Sequence, residues 1–210
     1  MEMAGLAESL IAQATSAVLE RDPSVAKVVK KRDDRVDELE IEIDERVVEL
    51  LALQQPLATD LRQIIATSKL SNDLERMADH AVNIAKAARR LADTQPLPEI
   101  PATAEMIEIT RNMVSDSLAA YVSRDVVTAR QVCVTDDKVD DLRRSLYQIL
   151  SAHMQQDPKR IGGALQLLSV SQNLERIADL ATNISEDVVF LVEGHSIKHH
   201  SDGGLRPREH

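Results

Sequence analysis

Residues 71–85 read SNDLERMADHAVNIA, and residues 171–185 read SQNLERIADLATNIS. Nine of the fifteen positions are identical, including Leu74/Leu174, Glu75/Glu175, Arg76/Arg176, Ala78/Ala178 and Asp79/Asp179. Self-similarity at a long period decides an architecture before any local propensity does. Here it extends upstream: ERDPSVAKVVKKRDDRVDEL at 20–39 matches SRDVVTARQVCVTDDKVDDL at 123–142, an offset of 103. LQQP at 53–56 then aligns with MQQDP at 154–158. By the quoted segments the offset has fallen to 100, so a connection or helix end in the second half is about three residues shorter. The two copies are 1–93 and 102–193. Between them, at 94–101, runs a segment with prolines at 96, 98 and 101, which cannot continue a helix and reads as a fairly stiff linker.

Each copy carries the same punctuation. In the first, helices are expected up to about Arg21, from Ser24 to Leu53, and from Leu57 to Ala92. Along the second of these, Val25, Val29, Arg32, Val36, Leu39, Ile43, Val47 and Leu50 step by three and four, the stripe of a bundle helix. The short QQP connection makes helices two and three antiparallel neighbours. No stretch alternates with period two for long enough to build a sheet. The expected fold is all-α: two tandem three-helix bundles related by internal duplication. One long six-helix bundle is the alternative, which the proline linker argues against.

Composition agrees. Of 210 residues, 25 are Lys or Arg and 35 Asp or Glu, a formal net charge of −10. The aromatics are Tyr121, Tyr147 and Phe190, so the core must be aliphatic, as helix packing uses. An acidic chain with few stacking platforms is a poor nucleic-acid binder. The lone Cys133 makes no internal disulfide, which fits a reducing compartment, and it shares an apolar stripe with Val132 and Val139, as a core thiol would. The start, MEMAGLAESL, lacks a basic region followed by an apolar one, and no apolar run approaches the roughly 20 residues of a membrane span. The reading is a cytoplasmic protein without membrane insertion.

Four motifs place an acidic residue four positions before an aspartate: Asp33–Asp37, Glu75–Asp79, Asp136–Asp140 and Glu175–Asp179. Residues four apart share a helix face, and like charges there weaken the helix by a few tenths of a kcal/mol. A cation, an arginine or plain solvation must compensate. With a reversal near residue 55, position n on the second helix lies level with about 110 − n on the third, given equal rise per residue. The Asp33–Asp37 pair then meets Glu75–Asp79. A reversal near 157 brings Asp136–Asp140 to Glu175–Asp179 in the same way. Four carboxylates at one height, twice over, suit hard cations such as Mg²⁺, Mn²⁺, Ca²⁺ or iron. A single acidic pair at this spacing is far more often a solvated face, with Arg76 and Arg176 as local partners. Duplication and matched height favour metal.

At this point the residues resemble a known family. LALQQPLATDLRQIIATSKLSNDLERMADHAVNIAK at 51–86 is similar to the first-domain signature of the PhoU family, and NLERIADLATNISEDVVFLVEG at 173–194 looks like its second-domain counterpart. The resemblance covers nearly the whole chain. It implies a negative regulator of the phosphate regulon that modulates phosphate uptake, built as two three-helix bundles. It further implies a homodimer linking a phosphate ABC transporter ATPase to a sensor histidine kinase. It also implies metal clusters of iron, zinc, manganese or magnesium on Asp33, Asp37, Glu75, Asp79, Asp136, Asp140, Glu175 and Asp179. Two departures stand out. The chain begins where the middle of the family's first helix is expected, and the tail GHSIKHHSDGGLRPREH at 194–210 is not a strong part of the pattern. That tail reads as disordered, although His195, His199 and His200 are possible ligands.

A carboxylate-bundle protein with a storage or enzymatic role is the competing reading. Ferritin-like sites need Glu three residues before His. The residues at that spacing from the six histidines are Met77, Leu150, Val192, Ser196, Ile197 and Pro207, so the motif is absent. No Ser/His/Asp or Cys/His arrangement stands out, and the protein is expected not to be an enzyme. His80 follows Asp79 and is placed to assist a site, but its second-copy equivalent is Leu180. A purely structural scaffold explains the helices but not the matched acidic pairs.

Overall fold

The computed structural model describes residues 1–195 and 197. Every regular element among them is helical: α1 (Glu2–Glu20), α2 (Val25–Gln54), α3 (Ala58–Ala92), α4 (Pro101–Ser123), α5 (Val126–Gln156) and α6 (Ile161–Glu193), with a single 3₁₀ turn at Pro158–Arg160. The expected helix limits in the first half hold to within a residue. The tail reading for 198–210, including His199 and His200, lies outside the described residues.

The duplication is visible in the backbone. Arg21 ends α1 in the left-handed conformation at φ 54°, and Arg124 ends α4 the same way at φ 56°. The next residue of each copy is an aspartate: Asp125 caps the start of α5, while Asp22 closes the turn just before α2, whose N-cap is Ser24. Asp22 Oδ1 accepts from the Ser24 amide at 2.8 Å, and Asp125 Oδ1 accepts from Val127 at 2.9 Å and Thr128 at 3.2 Å. The amides that Asp125 accepts are free first-turn donors, so this bond stabilises the start of α5. The Ser24 amide holds the Asp22 carboxyl below its usual range, and the Thr128 hydroxyl, at 2.6 Å, and then its amide do the same for Asp125.

The α1–α3 and α4–α6 bundles lie side by side, and α3 packs along α6. His80 Nδ1 sits 3.0 Å from Asn173 Oδ1, and Lys69 Nζ donates to Asp187 Oδ1 at 3.2 Å. Rising numbers on α3 thus meet falling numbers on α6, so the two helices are antiparallel and related by an approximate twofold axis. Most of the buried apolar residues form one cluster drawn from all six helices, and a second, small one joins Ala120, Ala129, Val188 and Val189. Alanines dominate α3, with Ala78, Ala81, Ala85 and Ala88 all buried, which lets helix axes approach closely.

The linker is fitted to this surface. The Arg21 guanidinium donates to the Thr94 carbonyl at 2.7 Å and also to the Leu91 carbonyl. Ile100 is buried and Leu97 packs on the core. At Gly163 a Cβ would stand 3.2 Å from Thr94 Oγ1 and 3.4 Å from Gln95 O, so glycine permits the close crossing.

The α2 stripe needs correction at its far end. Val29, Val36 and Leu39 are buried and Ile43 packs on the core, but Leu50 is 44% exposed. The reason is the reach of α1. Met3 Sδ contacts Ser71 Oγ at 3.4 Å, so α1 covers the α2–α3 hairpin only from about that level inward. Beyond it α2 has α3 as its one neighbour, while α4 still reaches α3 through Tyr121, whose hydroxyl meets Gln63 and Thr67, and Leu53, Leu57 and Leu61 face solvent.

Candidate metal centres

Helices α2 and α3 meet in the register that the sequence predicts. Ser68 Oγ donates to Asp44 Oδ1 at 3.2 Å, and Asn72 Nδ2 approaches Glu40 Oε1 at 3.5 Å. Both pairs have residue numbers adding to 112, against the 110 expected. The first acidic group therefore assembles across the hairpin. Burial raises the Glu75 carboxyl, and the charges of Asp79, Glu40, Asp37 and Asp33 raise it further. Asp37 is raised by burial first, then by Asp33, with Asp79 and Asp34 adding to it against Lys30. Asp33 itself is 1% exposed, although it sits one residue past Arg32 on the apolar stripe of α2. Its Oδ2 accepts from Lys30 Nζ at 3.0 Å, while Oδ1 is buried with no hydrogen-bond partner.

The second group repeats the arrangement between α5 and α6. Asp136 is pushed up to about 6, by burial and then by Asp179, Asp140, Asp137 and Glu175. Asp179 is raised by burial, opposed by Arg176 and by His80, which reaches across from α3. Arg143 donates to Glu175 Oε1 at 3.2 Å. Glu175 Oε2 is buried without a hydrogen bond, its nearest cation being Arg176 Nε at 3.8 Å.

Among the described residues, no three His, Cys, Asp or Glu side chains converge tightly enough to hold an ion. The fold brings together the donor set rather than a closed cage. That set fits a hard cation: its groups are all oxygen, mutually repelling, and include two buried lone-pair-bearing atoms that lack a donor. Asp79 and Asp140 remain exposed at its outer edge.

Several partners were not legible in the sequence. Glu40 joins the first group electrostatically. Lys30 and Arg143 act as built-in counter-charges, and only Lys30, three residues before Asp33, has a spacing that signals it. Two further carboxylates, Asp73 and Asp187, are buried where α3 meets α6, and the one clue is that Asp187 falls at helical spacing from Leu180, Ile184 and Leu191. His80 does approach the second site rather than serving only the first. Cys133 is half-buried at the edge of the core rather than inside it; burial, with Glu186 and Asp136 nearby, pushes its thiol up to about 11.

The raised carboxyls make a pH prediction. Asp136 binds its proton more tightly folded, at about 6, than unfolded, near 3.8. Its contribution to stability is therefore complete below 3.8 and is lost as pH rises through 6. Asp37, Glu75 and Asp179 shift in the same direction. Chelator-treated protein should melt at a higher temperature near pH 5 than near pH 7. Asp136→Asn should flatten that dependence; an unchanged slope refutes the assignment.

The sequence model of the PhoU domain matches residues 1–88 and again residues 103–188. The chain belongs to the PhoU family. Among relatives, the phosphate-specific transport system accessory protein PhoU homolog of Clostridium acetobutylicum is 37% identical over 198 residues, covering 94% of this chain and 90% of the relative. The Aquifex aeolicus homolog of the same name is 39% identical over 199 residues, covering 95% and 90%. Among solved structures, PhoU from Pseudomonas aeruginosa superposes with a TM-score of 0.89 at 34% identity, over 92% of this chain and 93% of that one. The phosphate transport system regulatory protein PhoU from Streptococcus pneumoniae gives 0.81 at 27% identity over the same shares. The duplicated PhoU domain thus accounts for both repeats. No described helix is long and apolar enough to cross a membrane.

Proposed function

We propose that this PhoU-family chain is a non-catalytic accessory protein of a phosphate transport system, acting as a cytoplasmic homodimer. In this reading it holds the phosphate regulon repressed by linking the transporter's ATPase to a sensor histidine kinase, and it moderates phosphate uptake. The observation that carries it is similarity over nearly the whole chain to proteins named for that accessory role. The all-helical frame, with no catalytic constellation legible in its sequence, is consistent with an adaptor.

The carboxylate groups supply the metal part of the proposal. Asp33, Asp37, Glu75 and Asp79 would hold a cation in the first bundle, and Asp136, Asp140, Glu175 and Asp179 one in the second. Iron, zinc, manganese and magnesium are the candidates. A bound cation would neutralise the repulsion and tie each hairpin's two helices together. Lys30 and Arg143 hold part of each group while it is protonated or metal-free.

Deleting the gene should switch on phosphate-starvation genes while phosphate is plentiful. Tagged protein should also retain the transporter ATPase and the kinase from extracts. A reporter that stays silent in the deletion strain, with no second copy of the gene to compensate, overturns the adaptor reading.

A further inference from the structure

Of the nine positions identical between 71–85 and 171–185, five are buried in both copies and two are the paired carboxylates. Packing and the acidic groups account for those seven. The other two are arginine and asparagine, at 76 and 83 and again at 176 and 183. Both arginines are exposed, so neither serves the core.

The fold sets these arginines beside the approximate twofold axis. Across the seam of α3 and α6, His80 meets Asn173 and Lys69 meets Asp187, so facing residue numbers add to 253 and 256. Equivalent positions of the two copies, 100 apart, therefore lie level at about 77 and 177. Arg76 and Arg176 flank that level, one on each helix. Together they line a single cavity of about 310 Å³, with Asp179, Leu180, Thr182 and Asn183.

Two like charges on one cavity repel, and little answers them. Asp73 approaches Arg76 at 3.8 Å, and Glu175 and Asp179 approach Arg176 at 3.8 and 3.6 Å. All three distances are longer than a hydrogen bond, and Glu175 is already bonded to Arg143. Each guanidinium presents five N–H donors in a planar fork. Thr182 Oγ1, on the cavity wall, is buried with no hydrogen-bond partner, and Asn183 adds a side-chain amide.

We propose that this cavity binds inorganic phosphate between the forks of Arg76 and Arg176. A tetrahedral oxyanion has twofold axes of its own. It offers one pair of oxygens to each side, and a guanidinium takes such a pair through two parallel N–H···O bonds. The one carboxylate in the lining, Asp179, then sets which oxyanion fits. Free phosphate keeps a proton at neutral pH and donates it to that carboxylate. Sulfate has none to give, and a phosphate ester loses its last proton near pH 6, so both meet Asp179 as a repelling charge. The site needs no bound cation and stands apart from the metal reading above.

The test is calorimetric titration of chelator-treated protein at pH 7. Inorganic phosphate should bind roughly tenfold or more tightly than sulfate or methyl phosphate, the ratio expected for one hydrogen bond to a charged group. Arg76→Gln with Arg176→Gln should weaken phosphate by a similar factor while circular dichroism shows unchanged helix, since both side chains are exposed. Arg76→Lys with Arg176→Lys keeps the charge without the fork and should also bind less tightly than the parent. Asp179→Asn should narrow the preference for phosphate over sulfate. A parent protein that takes up no phosphate, or a glutamine variant that binds as the parent does, overturns the site. Sulfate binding as tightly as phosphate marks an adventitious ion only, and tighter binding of methyl phosphate reassigns the cavity to a phosphate ester; either result overturns the proposal.

Discussion

Ile177→Ala is expected to lower the stability of the whole chain by about 2–5 kcal/mol, the range for truncating a large side chain in a packed core. Ile177 is fully buried, as is Met77 at the corresponding position of the first copy. Both belong to the apolar cluster shared by all six helices. The loss should therefore not be confined to the second bundle. A cavity beside α6 weakens the surface against which α3 packs, and α3 is the spine of the first bundle. Calorimetry should give a single endotherm, shifted downward, with calorimetric and van't Hoff enthalpies equal. Two separate transitions, only the second of them moved by the substitution, would show that the bundles unfold independently.

The second large effect concerns the carboxylates. Ligand bound only by the folded state stabilises it by about 2.7 kcal/mol at a hundred times its dissociation constant. Chelation is expected to lower the melting temperature of the parent protein, and manganese, zinc, magnesium or iron should restore it. Glu75→Gln with Asp79→Asn removes two charges and almost no volume. That variant should keep its helices, lose metal from the first site alone, and respond less to chelator. If the acidic pairs are merely solvated, the outcome has the opposite sign. No metal would appear above background, and the neutral variant would be as stable as the parent or more so, because repulsion around Asp33 and Asp37 is relieved.

Most of this architecture is legible in the sequence because it is written twice. The repeat sets the two bundles, the prolines set the linker, and the QQP reversal sets the α2–α3 register to within about two residues. Periodicity is less informative about the partner a face receives. The stripe through Leu50 reads as core on the wheel, yet its covering depends on where α1 stops along the hairpin. Burial depth is misread for similar reasons. The periodic pattern sets Asp33 one residue past the apolar stripe and Cys133 on one; the structure buries the carboxylate and leaves the thiol half-exposed. Residue type gives the expectation in each case, and tertiary packing decides it. Contacts between the copies, such as His80 with Asn173 or Lys69 with Asp187, are not legible at all. Nothing in either repeat specifies how one copy lies on the other.

The proline linker changes what selection can do to the two halves. A symmetric pair of separate chains must keep both surfaces identical, since one gene encodes them. Joining them covalently turns their encounter into an intramolecular event, with an effective concentration in the millimolar range for a short tether. Association then no longer depends on protein abundance, and each copy is free to diverge. Arginine stands at 143 where glutamate stands at 40, and leucine at 180 where histidine stands at 80. A tether pinned by Arg21 and seated against Gly163 has let one half drift chemically from the other while the shared core between them stays closed.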